Sequence, residues 1–169
     1  QTEAIYLNRD YEPATIERDE AIQFLMESNG VSFNDFKDHV FFEKDEVLKQ
    51  DGKPCTVYTP YKNKWLEKFR RTNIEVPRAE LELNNHYAKG TFKLPSLEDI
   101  GFERSSIEAP SYNLAGVDDY EKHRDFPWMD KTTYIGHHLR FGTVSVRSLI
   151  HFTRLKNQTY LSEIIWRDF

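Results

Sequence analysis

The chain has 169 residues, 30% of them charged and 14% aromatic, with a formal net charge of −5. That length suits about one domain with a real core; no apolar run is long enough to cross a bilayer as a helix, and the acidic balance argues against wholesale coating of nucleic acid while leaving room for a local basic groove. The single Cys55 permits no intrachain disulfide and gives no support to a secreted scaffold, and a cytoplasmic location is expected.

Ala4-Ile5-Tyr6-Leu7 is a short apolar run, consistent with a buried strand. A helix is expected from Pro13 to Ser28, with Ile16, Ile22, Leu25 and Met26 on its apolar stripe and Asn29-Gly30 as its stop. If Val40-Phe41-Phe42 is the next strand, the order is the strand–helix–strand unit of a parallel α/β sheet. No GxGxxG dinucleotide fingerprint occurs. NRDYEP (8–13) falls on the loop after the first strand, where α/β sheets tend to bind ligands, although a structural turn is the simpler reading.

Asp51-Gly52 makes a turn, and Thr56-Val57-Tyr58 reads as extended. Thr59 then caps a helix with Pro60 at its first position. Tyr61, Trp65, Leu66 and Phe69 recur at core spacing, and the lysines and arginines between them read as a solvated face. From Arg70 to about 116, prolines at 77, 95 and 110 interrupt a long connector that is expected to wrap across the molecule. Ser96 to Asp99 resembles a capping box.

Residues 118–124 read as a helix stopping before Pro127, with Tyr120 and Arg124 on one side. Thr132-Thr133-Tyr134-Ile135-Gly136 is a turn at a helix start. Gly142 closes that helix, and Ser145 caps the next, which carries Val146, Leu149, Ile150 and Phe152. Arg147 is expected in a salt bridge. His137-His138 gives little support to a metal, because adjacent helical residues point about 100° apart and no HExxH or cysteine cluster accompanies them.

In the closing run, Leu161, Ile164 and Ile165 form one apolar stripe. Tyr160, Glu163, Trp166 and Arg167 are spaced to share another face, behind a cap at Thr159. That face is either a ligand wall or a Glu163–Arg167 surface pair beside half-buried aromatics. Asn157-Gln158-Thr159 reads as a helix-entry turn rather than a glycosylation site.

Four motifs in fixed order carry a resemblance: YEKHRDFP from Tyr120, the turn at Thr132–Gly136, LRFGTVSVR from Leu139, and YLSEIIWRDF from Tyr160. Preceded by NRDYEP and DGKPCTVYTPY, they resemble the DNA photolyase/cryptochrome family over nearly the whole chain, least between Arg70 and Ser111. The resemblance implies an α/β plus all-α fold: a partial parallel α/β antenna lobe over residues 1–69, a connector over 70–116, and the start of a helical FAD-binding domain over 117–169. It also implies an internal fragment of a longer protein.

In the family, the residues matching Tyr120, Thr132, Thr133, Tyr134, Ile135, Gly136, Tyr160 and Arg167 hold FAD. Those matching Arg124, Glu163, Trp166 and Arg167 meet damaged DNA. The family turn is Thr-Ser-Arg-Leu-Ser; Tyr134 and Gly136 therefore replace an Arg and a Ser. A second antenna chromophore is expected, and Ala14 and Thr15 depart from the amide and carboxylate of folate-using members. The implied activity is that of a deoxyribodipyrimidine photolyase, a carbon–carbon lyase splitting pyrimidine dimers in DNA by blue-light electron transfer. The alternative is a cryptochrome-type photoreceptor that signals without repair. No catalytic residue is assigned within the chain, and no membrane or metal partner is expected. The segment alone is expected to be inactive, to hold FAD poorly, and to self-associate through Ile164 and Ile165.

Overall fold

A computed structural model describes residues 2–74 and 93–169. Strand β1 (Ala4–Asn8) pairs in parallel with β2 (Ser32–Phe36), in a register running from Ala4↔Ser32 to Asn8↔Phe36. Parallel strands need a crossover, and helix α1 (Pro13–Ser28) provides it. Asn29 ends α1, and Gly30 follows at φ 72°, a left-handed conformation that glycine adopts without steric cost.

The second strand is therefore not Val40-Phe41-Phe42. Those three residues are bent and buried, and Phe41 and Phe42 donate their backbone N–H groups to the Asp168 carboxylate at 3.2 and 3.0 Å. With those donors committed elsewhere, they do not form a ladder. The true strand contains Asn34 and Asp35, whose polarity hides it from an apolar search; Asn34 reaches back to the Ile5 carbonyl at 3.3 Å.

Helix α2 (Tyr58–Phe69) begins at Tyr58 behind Val57, so Thr59 is inside the helix and not its cap. Pro60 still lies in the first turn, where backbone N–H groups lack helical partners. Of the expected extended run at Thr56–Tyr58, Val57 is extended, at φ −131° and ψ 133°, but Tyr58 already belongs to the helix and no strand forms. Tyr61 and Trp65 are buried, as their spacing predicts.

The part of the expected connector from 75 to 92, with Pro77, lies outside the described residues. Beyond it, Ser96 and Asp99 exchange side-chain and backbone hydrogen bonds at 3.0 and 3.1 Å, opening a 3-10 turn over Glu98–Ile100. Four helices follow: α3 (Tyr120–His123), α4 (Gly136–Arg140), α5 (Val146–Thr153) and α6 (Gln158–Asp168). Ser145 caps α5 by accepting from the Ser148 N–H. Asn157, not Thr159, caps α6: its Oδ1 accepts from the Tyr160 N–H at 2.9 Å, while its amide donates to the Asp118 carbonyl.

One hydrophobic cluster joins Phe41, Phe42 and Trp65 to Leu149, Ile150, Leu161 and Ile165. Helix α6 packs against α2, α3 and α5. Ile164 and Ile165 are consequently buried, so they do not supply the uncovered apolar surface expected of them. Among the described residues, no helix is long and apolar enough to cross a membrane.

Candidate functional site

Helices α3, α4, α5 and α6 and the turn before α4 enclose a cleft of about 420 Å³. Tyr160 projects into it from the first turn of α6 and is buried; its hydroxyl meets the Thr133 hydroxyl at 2.9 Å. The Tyr120 ring stands edge-on to Tyr160 at 4.9 Å. Burial pushes the Tyr160 phenol above its ordinary pKa, and the Thr133 contact partly offsets this. Tyr134 sits at φ 51°, with its hydroxyl on Asp130, so the turn is held in a left-handed kink. No side chain caps α4, which begins at Gly136.

Arg167 reaches the same cleft from the last turn of α6. Its guanidinium donates to the His39 carbonyl at 3.2 Å and the Leu139 carbonyl at 2.9 Å. Burial pulls its pKa down, and the neighbouring Asp168 carboxylate opposes that. The cleft is lined by Tyr120, Thr132, Thr133 and Tyr134, and by Ile135, Gly136, Tyr160 and Arg167. All eight residues singled out for the cofactor thus share one concavity.

The four residues singled out for DNA are less uniform. Glu163 and Arg167 line the cleft. Arg124 lies at its rim, donating to Glu163 at 2.5 Å with its guanidinium 5.6 Å from the Tyr120 ring centre. The Glu163 hydrogen bond raises the Arg124 pKa. Trp166 turns away and stacks on Tyr58 from α2, with centroids 3.6 Å apart and planes 9° from parallel. The single face expected for Tyr160, Glu163, Trp166 and Arg167 is therefore divided. Successive helical residues diverge by about 100°, so Trp166 and Arg167 meet different neighbours. Glu163 pairs with Arg124 across helices, and the Glu163–Arg167 pair that was the alternative to a ligand wall does not form.

Behind the cleft, polar contacts join the C-terminal helices to the strand region. Arg147 binds Asp38 at 2.7 Å, the salt bridge expected of it. Arg140 reaches Asp10 at 3.3 Å and Glu12 at 2.9 Å. The Asp168 carboxylate accepts from Phe41 N, Phe42 N and, at 2.8 Å, Trp65 Nε1. Its enclosure raises its pKa despite these three donors. His137 and His138 converge on the Pro110 carbonyl at 3.0 and 3.2 Å, which fastens the connector to α4.

Tyr58 and Asp168 are the two residues around this site that sequence reasoning missed. Both lie inside the quoted motifs, but their partners are distant in sequence and leave no local periodicity. Lys62, read as solvated, lies 5.9 Å over the Tyr58 ring.

A second cleft, of about 470 Å³, opens past the carboxyl ends of β1 and β2. NRDYEP shapes it: Arg9 forks to Asp35 and Glu43, both at 2.6 Å, and the Tyr11 hydroxyl donates to Glu43 at 2.7 Å.

The family model described as DNA photolyase matches residues 1–80. A deoxyribodipyrimidine photo-lyase of Alkalihalophilus pseudofirmus is 28% identical, over 100% of this chain and 39% of that protein. Its counterpart in Vibrio cholerae is 29% identical, over 98% of this chain and 40% of its own length. Among solved structures, a class III photolyase from Agrobacterium tumefaciens superposes with a TM-score of 0.69 at 20% identity, covering 99% of this chain and 39% of that one. An archaeal photolyase from Sulfolobus tokodaii, solved with two FAD molecules, gives 0.62 at 24% identity, covering 99% of this chain and 37% of that one. The chain thus spans about two fifths of the length of the curated relatives it matches. In sequence along nearly its whole length, and in fold, the chain is thus similar to DNA photolyases.

Proposed function

We propose that this chain supplies one wall of the FAD cavity of a light-driven deoxyribodipyrimidine photolyase. The observation that carries the reading is the convergence of eight motif residues on one cleft. Ligand sites are concave and bury most of their ligand. Thr132 and Thr133 offer hydroxyls beside the uncapped start of α4, a chemistry suited to a pyrophosphate. Tyr120 and Tyr160 offer aromatic walls, and Arg167 a guanidinium with its two carbonyl contacts already made. The donor set fits a flavin dinucleotide, less one cation and one hydroxyl where Tyr134 and Gly136 stand. When bound, FAD supplies the photochemical electron transfer, and the protein holds and orients it.

On this reading, residues 1–69 form the antenna lobe, 70–116 the connector and 117–169 the start of the flavin domain. The second cleft beside Arg9 and Tyr11 is the place for a further chromophore. The substrate is a pyrimidine dimer in damaged DNA, turned out of its stack to reach the flavin. Arg124 takes a backbone phosphate with its planar fork, Glu163 hydrogen-bonds the dimer, and Trp166 packs against it. Arg124 and Glu163 satisfy each other in the free protein, so phosphate binding at Arg124 releases the Glu163 carboxylate. The working place is the cytoplasm.

The test is a blue-light repair assay on a flavin-loaded protein of the relatives' length carrying this segment. Pyrimidine dimers should disappear only in the light. Arg167→Ala should lower flavin content or repair, while Lys49→Ala, at an exposed position outside the lining of the cleft, should change neither. Bound flavin without repair would favour cryptochrome-type signalling; equal effects of the two substitutions would remove the cleft assignment.

A further inference from the structure

We infer that Tyr58 is a positioning residue for Trp166: its ring fixes the plane of the indole on which an extrahelical base stacks. This rests on the proposed reading of Trp166 as the residue that packs against the dimer.

Tyr58 comes from the first turn of α2, outside the proposed flavin domain. It is held at both ends. Its face lies on Trp166 at 3.6 Å, nearly parallel. Its hydroxyl donates at 2.5 Å to the carbonyl of Ser162, one turn before Trp166 on α6. Phe169 closes the side, edge-on to Tyr58 at 5.7 Å and to Trp166 at 5.5 Å.

The indole gains order it would otherwise lack. Trp166 is 49% exposed, and a surface side chain samples several rotamers that binding must freeze. Stacking on Tyr58 freezes them beforehand, so a base meets a ring already set, which is preorganisation. With one face against Tyr58, the exposed half of the indole is left for a single ring. Stacking tolerates any base because each has a π-face. Selectivity for a dimer then comes from which nucleotides are easily turned out and from the groups around the platform.

The experiment uses the flavin-loaded protein of the relatives' length, with UV-irradiated and unirradiated oligo(dT) as probes in the dark. The readout is the ratio of the two affinities. Tyr58→Leu should lower that ratio about tenfold, within the range that a base–aromatic stack commands. Affinity for the unirradiated strand, led by phosphate contacts, should hold. Tyr58→Phe keeps the flat face and should retain the ratio. Trp166→Leu should lower the ratio too, and the double substitution should go no lower than Trp166→Leu alone, because Tyr58 acts through the indole.

The near-ultraviolet circular dichroism of the ring pair should be lost in Tyr58→Leu and kept in Tyr58→Phe. Should Tyr58→Leu fold poorly, Tyr58→Met, with comparable bulk and no flat face, takes its place with the same expectations. An unchanged ratio, or losses that multiply in the double variant, would overturn the inference and leave the photolyase reading standing. A wild-type protein with no preference for the irradiated strand would overturn the base-stacking reading and the inference with it.

Discussion

Helices α1 and α6 differ in what they bury. The 16-residue α1 has no buried residue, and Phe24 and Leu25 on it are 76% and 54% exposed. The 11-residue α6 buries Tyr160, Leu161, Ile164 and Ile165, and is fixed at its start by the Asn157 cap. The strands beside α1 show the same thinness, with Tyr6 and Phe36 largely exposed although parallel sheets elsewhere have both faces covered. A regular helix therefore says little about stability; the partners of its apolar face decide how much each side chain contributes.

The sharpest way to break that comparison is to truncate one apolar side chain in each helix. Ile165→Ala, at a fully buried position, should cost about 3 kcal/mol. Phe24→Ala should change stability by about 0.5 kcal/mol or less. Urea denaturation measures both; equal losses would mean that α1 is packed as α6 is.

The next largest effect belongs to the anchor at the far end of α6. Asp168→Ala strands two backbone N–H groups and the Trp65 indole N–H, and should cost about 2 kcal/mol. Titration adds a sign. Enclosure raises the Asp168 pKa above its ordinary 3.8, so the folded state holds that proton more tightly than the unfolded chain. The resulting contribution is complete below the ordinary value and is lost as pH rises through the folded one. Relative to Asp168→Asn, the wild type should gain stability as pH falls from neutral toward 4. A gain in the opposite direction, in urea midpoints at the two pH values, would mean that the three donors outweigh enclosure.

A smaller loss than at Ile165 or Asp168 is expected at the start of α6. Asn157→Ala should cost about 1 kcal/mol, whereas Thr159→Ala, inside the first turn, should cost less. The reverse order in the same assay would restore Thr159 as the cap.

What could be read from the sequence followed the range of the interaction. The α1 bounds, the Ser145 cap and the Ser96–Asp99 box depend on neighbours within a turn or two, and periodicity or spacing exposes them. The parallel unit was also legible, but β2 was not, because Asn34 and Asp35 break its apolar pattern and Val40-Phe41-Phe42 offers a stronger one. The eight cleft residues were found through the order of family motifs; spacing alone left Tyr120–Arg124 and the turn at Thr132 as ordinary surface features. Tyr58 and Asp168 escaped because their partners lie across the fold. The Tyr58 hydroxyl bonds Ser162, 104 residues away, and nothing local to either residue announces the other.

The Asp168 anchor also sets an order of events in the life of the chain. Phe41 and its acceptor are 127 residues apart. At a synthesis rate of about 5–20 residues per second, roughly 6–25 s pass between the making of one and the other. Through that interval the bend at Phe41 and Phe42 exists without the carboxylate that takes its amides, and Trp65 without its partner. The docking of the α6 turn that carries Asp168 thus trails the making of Phe41 by that interval, which the ribosome itself imposes, and the aromatic cluster around Trp65 lacks this acceptor until then.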